Sequence, residues 1–567
     1  MNTLSQTPDK NTRKYQHISR EAQAQILQKM HLHSERDLAK QENISRTTLQ
    51  HWKARFETLQ GEDPALTQFF ESPSGQAFLH TLYVATLLVF HQYGNCGIPS
   101  LEKFFSMIKT DRFVGSSIPS LQRMNKVLSR HIIAFGKEET ERLASTMPHK
   151  AICCAVDENY ILNDLTLVAI EPVSDFILLE ELAKDRKAET WDKVCRGALV
   201  NLPITIQQFV GDEAAGLIKL ATHHFKVIKG SDLFHVQQEI TRGLTAPLAR
   251  SLEQEKRTKD VLQKKKEESL AKFKEDLKSA KGIDELSKRG VNAGRRLCDI
   301  SKQEKKNEKT IETIEHKKEE ARENRQAISG AYHPFHSETG KKQEPKEVEK
   351  ALESSFAALE KIADEQNLSD KQKEKLKKAK SLISSMIQVL IFFFAFLSST
   401  IKELTLNEEE AKSFERLVSY YYWKERIRKT SGRKNKNKIR ALVEQLQNEL
   451  EIDFIWSQLH PERQHVWRLK ALECAGIFQR SSSCVEGRNG CLSLKFHAFR
   501  HLTAEALQVL TVLHNFFSKR NDQTTAAERF FEQKPRDLLV YLLGKVELPR
   551  PRKVNPDRKR KERKKAA

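Results

Sequence analysis

The chain has 567 residues, with 97 Lys+Arg against 76 Asp+Glu and a formal net charge of +21. Its 38% hydrophobic and 31% charged residues compare with about 45–50% and about 25% in ordinary globular chains, which excludes a membrane-embedded, collagen-like or Gly/Ser-rich protein and disfavours a compact enzyme for small-molecule substrates. The length suggests about three to five structural units, and the positive surplus points to a polyanionic partner, nucleic acid first.

Met1 to Lys14 is polar, without the apolar core of a secretion signal. The eight cysteines form no C-x-x-C pair, so zinc ribbons and thioredoxin chemistry find no support. A reduced, cytoplasmic, nucleoid-associated protein is the expectation.

Residues 1–62 read as a helix-turn-helix domain. Ser19 is the expected cap of a first helix through Ile26, Leu27 and Met30, and Ser34 starts a short second helix. Asn43-Ile44-Ser45 forms the turn, and Ser45 caps a third helix with Leu49, Trp52 and Phe56 at helical spacing. Arg46, Thr47, Gln50 and Lys53 would then face outward, as in a recognition helix entering a DNA major groove. Residues 63–150 read as a helical linker domain.

At Ala151 the periodicity changes. AICCAV (151–156), LTLVAI (165–170) and DFILLEEL (175–182) read as strands, AETWDKVCRGALV (188–200) as a helix and IQQFVG (206–211) as a fourth strand. A helix over 213–221, a fifth strand over 225–230 and a helix from about Phe234 follow. The order β-β-β-α-β-α-β is that of an RNase H-like core, with its first part at 151–250.

Residues 251–480 read as a helical insertion. Within it, 251–324 is rich in Lys and Glu, a solvated helix pair or coiled coil broken near Gly290 to Gly294. GAYHPFHSETG (330–340) is a turn segment. MIQVLIFFFAFL (386–397) is a strongly apolar run of twelve residues, short of the about 20 of a bilayer span, and reads as a helix buried on all sides. Residues 481–548 would complete the core. Residues 549–567 form a basic tail, with ten Lys/Arg and two acids between Arg550 and Lys565.

Asp157 ends an apolar strand, and Asp212 ends another just before a helix. Carboxylates so placed emerge from the core edge on a rigid mount. If the first and fourth strands are neighbours, the two meet. Chemistry on a phosphodiester needs several oxygen ligands around Mg²⁺-like ions about 3.5–4 Å apart, so a third carboxylate on a nearby helix is expected. Glu486, in SSSCVEGRNGCLSLK, is the best candidate, with Arg488, Asn489 and Gly490 beside it to contact phosphate or turn the chain. The neighbours Glu158 and Glu213 compete for the same roles. Asp232 and His235, in SDLFHVQQEI, form a further pair in which Asp232 also suits a helix cap.

Taken together, these residues resemble a DDE-type transposase, nearest to groups with a large helical insertion before the Glu, such as the hAT and Mutator-like superfamilies and related bacterial insertion-sequence enzymes. Their second Asp is followed by a C/D-x-x-H motif, matched here by Asp232-Leu-Phe-His235, 20 residues after Asp212. The resemblance spans roughly residues 150–515. It departs from many hAT proteins in its lysine-rich insertion and in lacking their N-terminal zinc-finger residues. It implies a catalytic and metal-binding triad of Asp157, Asp212 and Glu486, accessory Asp232 and His235, and two Mg²⁺ or Mn²⁺ ions. It further implies double-stranded transposon-end and target DNA as partners, and self-association on paired ends. The alternatives are an RNase H-like structure-specific endonuclease, or a catalytically inactive DNA-binding or scaffolding relative.

Overall fold

A computed structural model describes residues 18, 20–59, 64–161, 164–279, 283–499 and 503–551. Ser19, Met1 to Lys14 and most of the basic tail lie outside them. The fold is mostly helical with one five-stranded mixed sheet. The chain divides into two compact units: residues 1–140, 497–517 and 535–567, and residues 141–496 with 518–534.

In the first unit, α1 (Arg20–Gln28), α2 (Glu35–Gln41) and α3 (Arg46–Leu59) close around Ile26, Leu38 and Leu49. The turn residues form as expected. Asn43 takes φ +50°, and the Thr48 amide donates to Ser45 Oγ at 3.0 Å. Phe56, expected inside, is 49% exposed. Helices α4 (Pro64–Glu71), α5 (Pro73–Thr86), α6 (Ile98–Met107) and α7 (Ile118–Ala144) follow, with a π-helical stretch over Leu87–Tyr93.

The sheet opens the second unit: β1 (Lys150–Ile161), β2 (Asp164–Glu171), β3 (Phe176–Ala183), α8 (Ala188–Leu199), β4 (Ile204–Gly211), α9 (Ala215–Lys219) and β5 (Ile228–Ser231). The strands lie in the order β3-β2-β1-β4-β5. β1 pairs antiparallel with β2 and parallel with β4; β2–β3 is antiparallel and β4–β5 parallel. The fifth strand starts three residues later than its hydrophobic pattern implies. A π-helical stretch runs to Phe225, whose ring packs on Phe209, and Lys226 turns the chain at φ +53°.

After α10 (Leu233–Ile240) come the long helices α11 (Ala246–Ser279) and α12 (Ile283–Ala331). They run antiparallel, with ion pairs Lys256–Glu315, Lys259–Glu308 and Lys266–Glu304 marking the register. The expected helix pair is therefore present, but no break falls at Gly290 to Gly294, which lie inside α12. Glycine weakens a helix by only about 1 kcal/mol, which the partner helix offsets.

Helices α13 (Pro345–Glu365), α14 (Asp370–Ser381), α15 (Ile383–Glu403), α16 (Glu408–Lys429), α17 (Arg433–Glu451), α18 (Phe454–Gln458) and α19 (Pro461–Ile477) build a large apolar core. It also takes in Leu233, Val236 and Ile240 of α10, so insertion and sheet region share one interior. Met386, Leu390, Phe393, Phe394 and Leu397 of α15 are buried there at helical spacing, yet Ile391 is 47% exposed. The expectation of burial on all sides is corrected: α15 is amphipathic in burial though not in composition. The helical stretch 370–403 is long and apolar enough to cross a membrane by length and composition, with mean hydropathy 2.1 over its best window. Helix α15 covers the edge strand β5, where Ser231 Oγ donates to Ser385 Oγ at 2.8 Å, which blunts an otherwise open strand.

Helices α20 (Ser483–Phe499), α21 (Ala504–Phe516), α22 (Ala526–Phe531) and α23 (Leu538–Lys545) complete the chain. The expected 481–548 domain does not hold together as one piece, because 497–517 and 535–551 fall in the first unit. Segment 518–534 stays with the sheet: Phe530 stacks on Phe176, ring centroids 4.5 Å apart, and Arg529 donates to the Ser174 carbonyl.

Candidate active site

One face of the sheet carries the site. Cys153, Ala155, Val168, Ile170, Ile177 and Val210 are buried on it, and Val485 of α20 is packed against them. Side chains two residues apart on a strand share a face, so Asp157 continues the Cys153, Ala155 row. Ala155 stands beside Val210 in the parallel β1–β4 register. Asp212 directly follows Gly211, the last residue of β4, and lies close enough to Asp157 to raise its pKa. Gly211 makes the close approach possible, since a Cβ there would lie 2.5 Å from the Val156 carbonyl oxygen.

Across the antiparallel side, Asp157 opposes Val168, and Val168 opposes Glu180 of β3. Helix α20 fastens onto this row. Arg488 Nε and Nη2 donate to Glu180 Oε1 and Oε2 at 2.7 and 2.6 Å, a bidentate pair with both side chains buried. The next residue, Asn489, donates from Nδ2 to Asp157 Oδ2 at 3.3 Å. Glu486 precedes Asn489 by three positions, one turn up the same side of the helix, in the first turn where the helix dipole favours an acid.

Asp157 senses the other two carboxylates. Asp157 is half-buried and its pKa is pushed up to about 7, mainly by desolvation. The Glu158 amide hydrogen bond opposes this, Glu486 and Asp212 add to it, and His235 opposes it. Asp212 keeps one oxygen on the Ala214 amide at 3.0 Å.

The competing acids are spoken for. Glu158 has the opposite strand parity and takes bonds from Trp191 Nε1 at 3.3 Å and Arg186 Nη1 at 3.5 Å. Glu213 is paired with the buried Lys229 ammonium at 2.8 Å.

Asp232 is buried and structural in geometry. One oxygen accepts from the Phe234 amide at 2.7 Å, capping α10. The other accepts from the Ser482 amide at 3.0 Å and from the Ser482 hydroxyl. It thereby ties the start of α10 to the residue preceding α20. His235 is half-buried on α10, near enough to bias Asp157.

Of the expected phosphate contacts near the triad, Arg488 is corrected: its guanidinium is spent on Glu180 inside the protein. Glu180 escaped the sequence reading, although an acid at an inward position of the apolar run FILLEEL is the mark of a buried pair. In the N-terminal module, Arg46, Thr47 and Lys53 are exposed, whereas Gln50 is half-buried. Glu35 of α2 stands among them, accepting from Gln50 Nε2 at 2.9 Å and lying 3.5 Å from Arg46 and 3.9 Å from Lys53. This carboxylate offsets part of the positive face, and its pKa is lowered, first by the Gln50 bond.

Oxygen donors of this kind suit a hard divalent cation. The Asn489 Oδ1 beside Asp157 is buried without a hydrogen-bond partner, an acceptor that a bound ion or its water shell would satisfy. Among the described residues, no three His, Cys, Asp or Glu side chains converge on one ion-sized point. The fit to such an ion thus rests on the chemistry of the oxygen donors and the unpartnered Asn489 oxygen.

Residues 414–557 match a family described as a family of unknown function, DUF6399. The matched stretch carries Glu486, Arg488 and Asn489 but neither Asp157 nor Asp212. No curated protein matches the chain significantly.

Proposed function

We propose that the chain is a DDE-type DNA transposase with an RNase H-like catalytic core, in which Asp157, Asp212 and Glu486 hold two Mg²⁺ or Mn²⁺ ions. The observation that supports this reading is that β1 and β4 are parallel neighbours and that Asp157, within β1, has both Asp212, just after β4, and Glu486 of α20 close enough to raise its pKa.

When bound, divalent ions supply Lewis-acid activation of the attacking oxygen and neutralise charge at the scissile phosphate. The protein's own groups do the rest. Asp157 is held by the β1 backbone, and Asp212 directly follows β4 with one carboxylate oxygen on the Ala214 amide. Asn489 restrains the Asp157 carboxylate through its amide. The Arg488–Glu180 pair fixes the roll of α20 and so the direction of Glu486. Asp232 fixes where that helix begins. His235 adds to the site's electrostatics, and Arg46, Thr47, Gln50 and Lys53 offer the surface for sequence recognition, with homo-oligomers assembling on paired ends.

In an assay on DNA flanking the gene, Asp157→Asn should abolish Mg²⁺-dependent cleavage while leaving end binding intact. Wild-type cleavage by this variant would remove the site assignment. Strand-transfer products from a pre-cleaved end separate a transposase from a structure-specific endonuclease.

A further inference from the structure

A second cluster of titratable groups, of opposite sign, lies in the same unit as the carboxylates. Arg426 and Lys429, near the end of α16, and Arg480, in the segment before α20, line a cleft of about 200 Å³ with Gln479, Ser481 and Ser483. Arg426 is 7% exposed and makes no ion pair with any described residue. Its Nε is a buried donor without an acceptor, as is Nε of Arg480. Arg480 Nη1 donates only to neutral acceptors: the Ser329 and Tyr332 carbonyls at 2.7 and 3.0 Å and His333 Nε2 at 2.8 Å. Lys429 donates to Gln479 Oε1 at 2.8 Å. The one acid near it, Glu425, is 3.7 Å away and is bound more closely by Arg428, at 2.6 Å.

Three cations thus share a buried cleft with almost no counter-charge. The strain shows in their acidities. Desolvation, with repulsion from Arg426, pushes Lys429 down to about 8; desolvation likewise pushes Arg480 down to about 10. Buried charges are ordinarily paired, and cations that line a cleft with unpaired donors call for an acceptor from outside. Arginine forks with a lysine and hydroxyls are the set that matches a tetrahedral oxyanion.

We propose that this cleft is an anion site for a phosphate group. The cations alone carry the proposal; its assignment to nucleic acid rests on the reading of the carboxylates above. Ser483 lines the cleft and stands one helical turn before Glu486, and Phe234 lines it next to His235. On that reading the ligand is a backbone phosphate of the DNA strand bound by the protein. A free phosphate or pyrophosphate is the other source of the same chemistry.

The test is thermal unfolding and calorimetric titration of the full chain with pyrophosphate, against sodium chloride of equal ionic strength. Wild type should gain stability from pyrophosphate beyond the chloride control. Lys429→Gln and Arg426→Gln should weaken binding at least about tenfold, as expected when a charged hydrogen bond is removed. Without the anion neither variant should unfold below wild type, because each relieves repulsion. An unchanged affinity in both variants, or no gain over chloride in wild type, overturns the proposal. Competition by a single-stranded oligonucleotide assigns the site to the DNA backbone, and its absence assigns it to free phosphate. Asp157→Asn should keep pyrophosphate binding, so loss of cleavage and loss of the anion site are read separately.

Discussion

Asp157 is ionised in the unfolded chain above about 3.9 but in the fold only above about 7. The folded state therefore holds the extra proton between those values, and stability falls as pH rises through that window. Without metal, Asp157→Asn should unfold at a higher temperature than wild type at pH 8, and the difference should close towards pH 4. A shift of this size corresponds to at most about 4 kcal/mol, reduced because solvent reaches the half-buried group. Thermal melts in a chelator check this, and Mg²⁺ should then raise the wild-type midpoint at pH 8 and leave the variant's unchanged. Arg488 invites a different expectation. Removing one partner of a buried, bidentate pair leaves the other charge stranded, at a cost of about 3–5 kcal/mol. Arg488→Met should destabilise by about that amount in denaturant titration, and Glu180→Leu in the same chain should restore much of it. An Arg488→Met protein with wild-type stability would remove the pair from its positioning role.

Helix α20 shows how one element serves several residues. Val485 anchors it in the sheet core, Arg488 and Asn489 grip the row Glu180–Val168–Asp157, and Glu486 is left exposed at its first turn. The hairpin of α11 and α12 is built on another principle. Its ion pairs are exposed, which contributes little each, and the large apolar core draws on Leu248 at one end and Ala321 at the other but on nothing between. Only a few side chains along it, including Leu262, Ile314 and Asn307, are buried. Replacing residues 266–304 by a short flexible linker should accordingly leave the second unit folded, with its melting temperature changed by no more than a few degrees. Circular dichroism melts would show it, and global unfolding would refute the division between hairpin and core.

For the molecule as a whole, the +21 charge is unevenly used. Part of it sits in the terminal tail, part is matched by glutamates along the hairpin, and part is offset at the N-terminal module by Glu35. Three cations instead line a cleft between α16 and the segment before α20. The strands and the turn chemistry of Ser34, Asn43 and Ser45 were legible in the sequence because each follows from local rules, alternation, capping and a left-handed turn residue, although β1 runs on past Asp157 to Ile161. The start of β5 was not, since a π-helical stretch and Lys226 override the apolar run before it. The break in the hairpin was placed at glycines, which a packed partner helix tolerates. The sequence settles which residues are apolar and which segments alternate. Strand order, the pairing of Glu180 with Arg488 rather than phosphate, the engagement of Glu158 and Glu213 elsewhere, and the gathering of Arg426, Lys429 and Arg480 belong to the tertiary fold. Each joins residues from separate elements, some of them hundreds of positions apart, and contacts of that range are chosen by packing and desolvation, which leave no local periodicity to read.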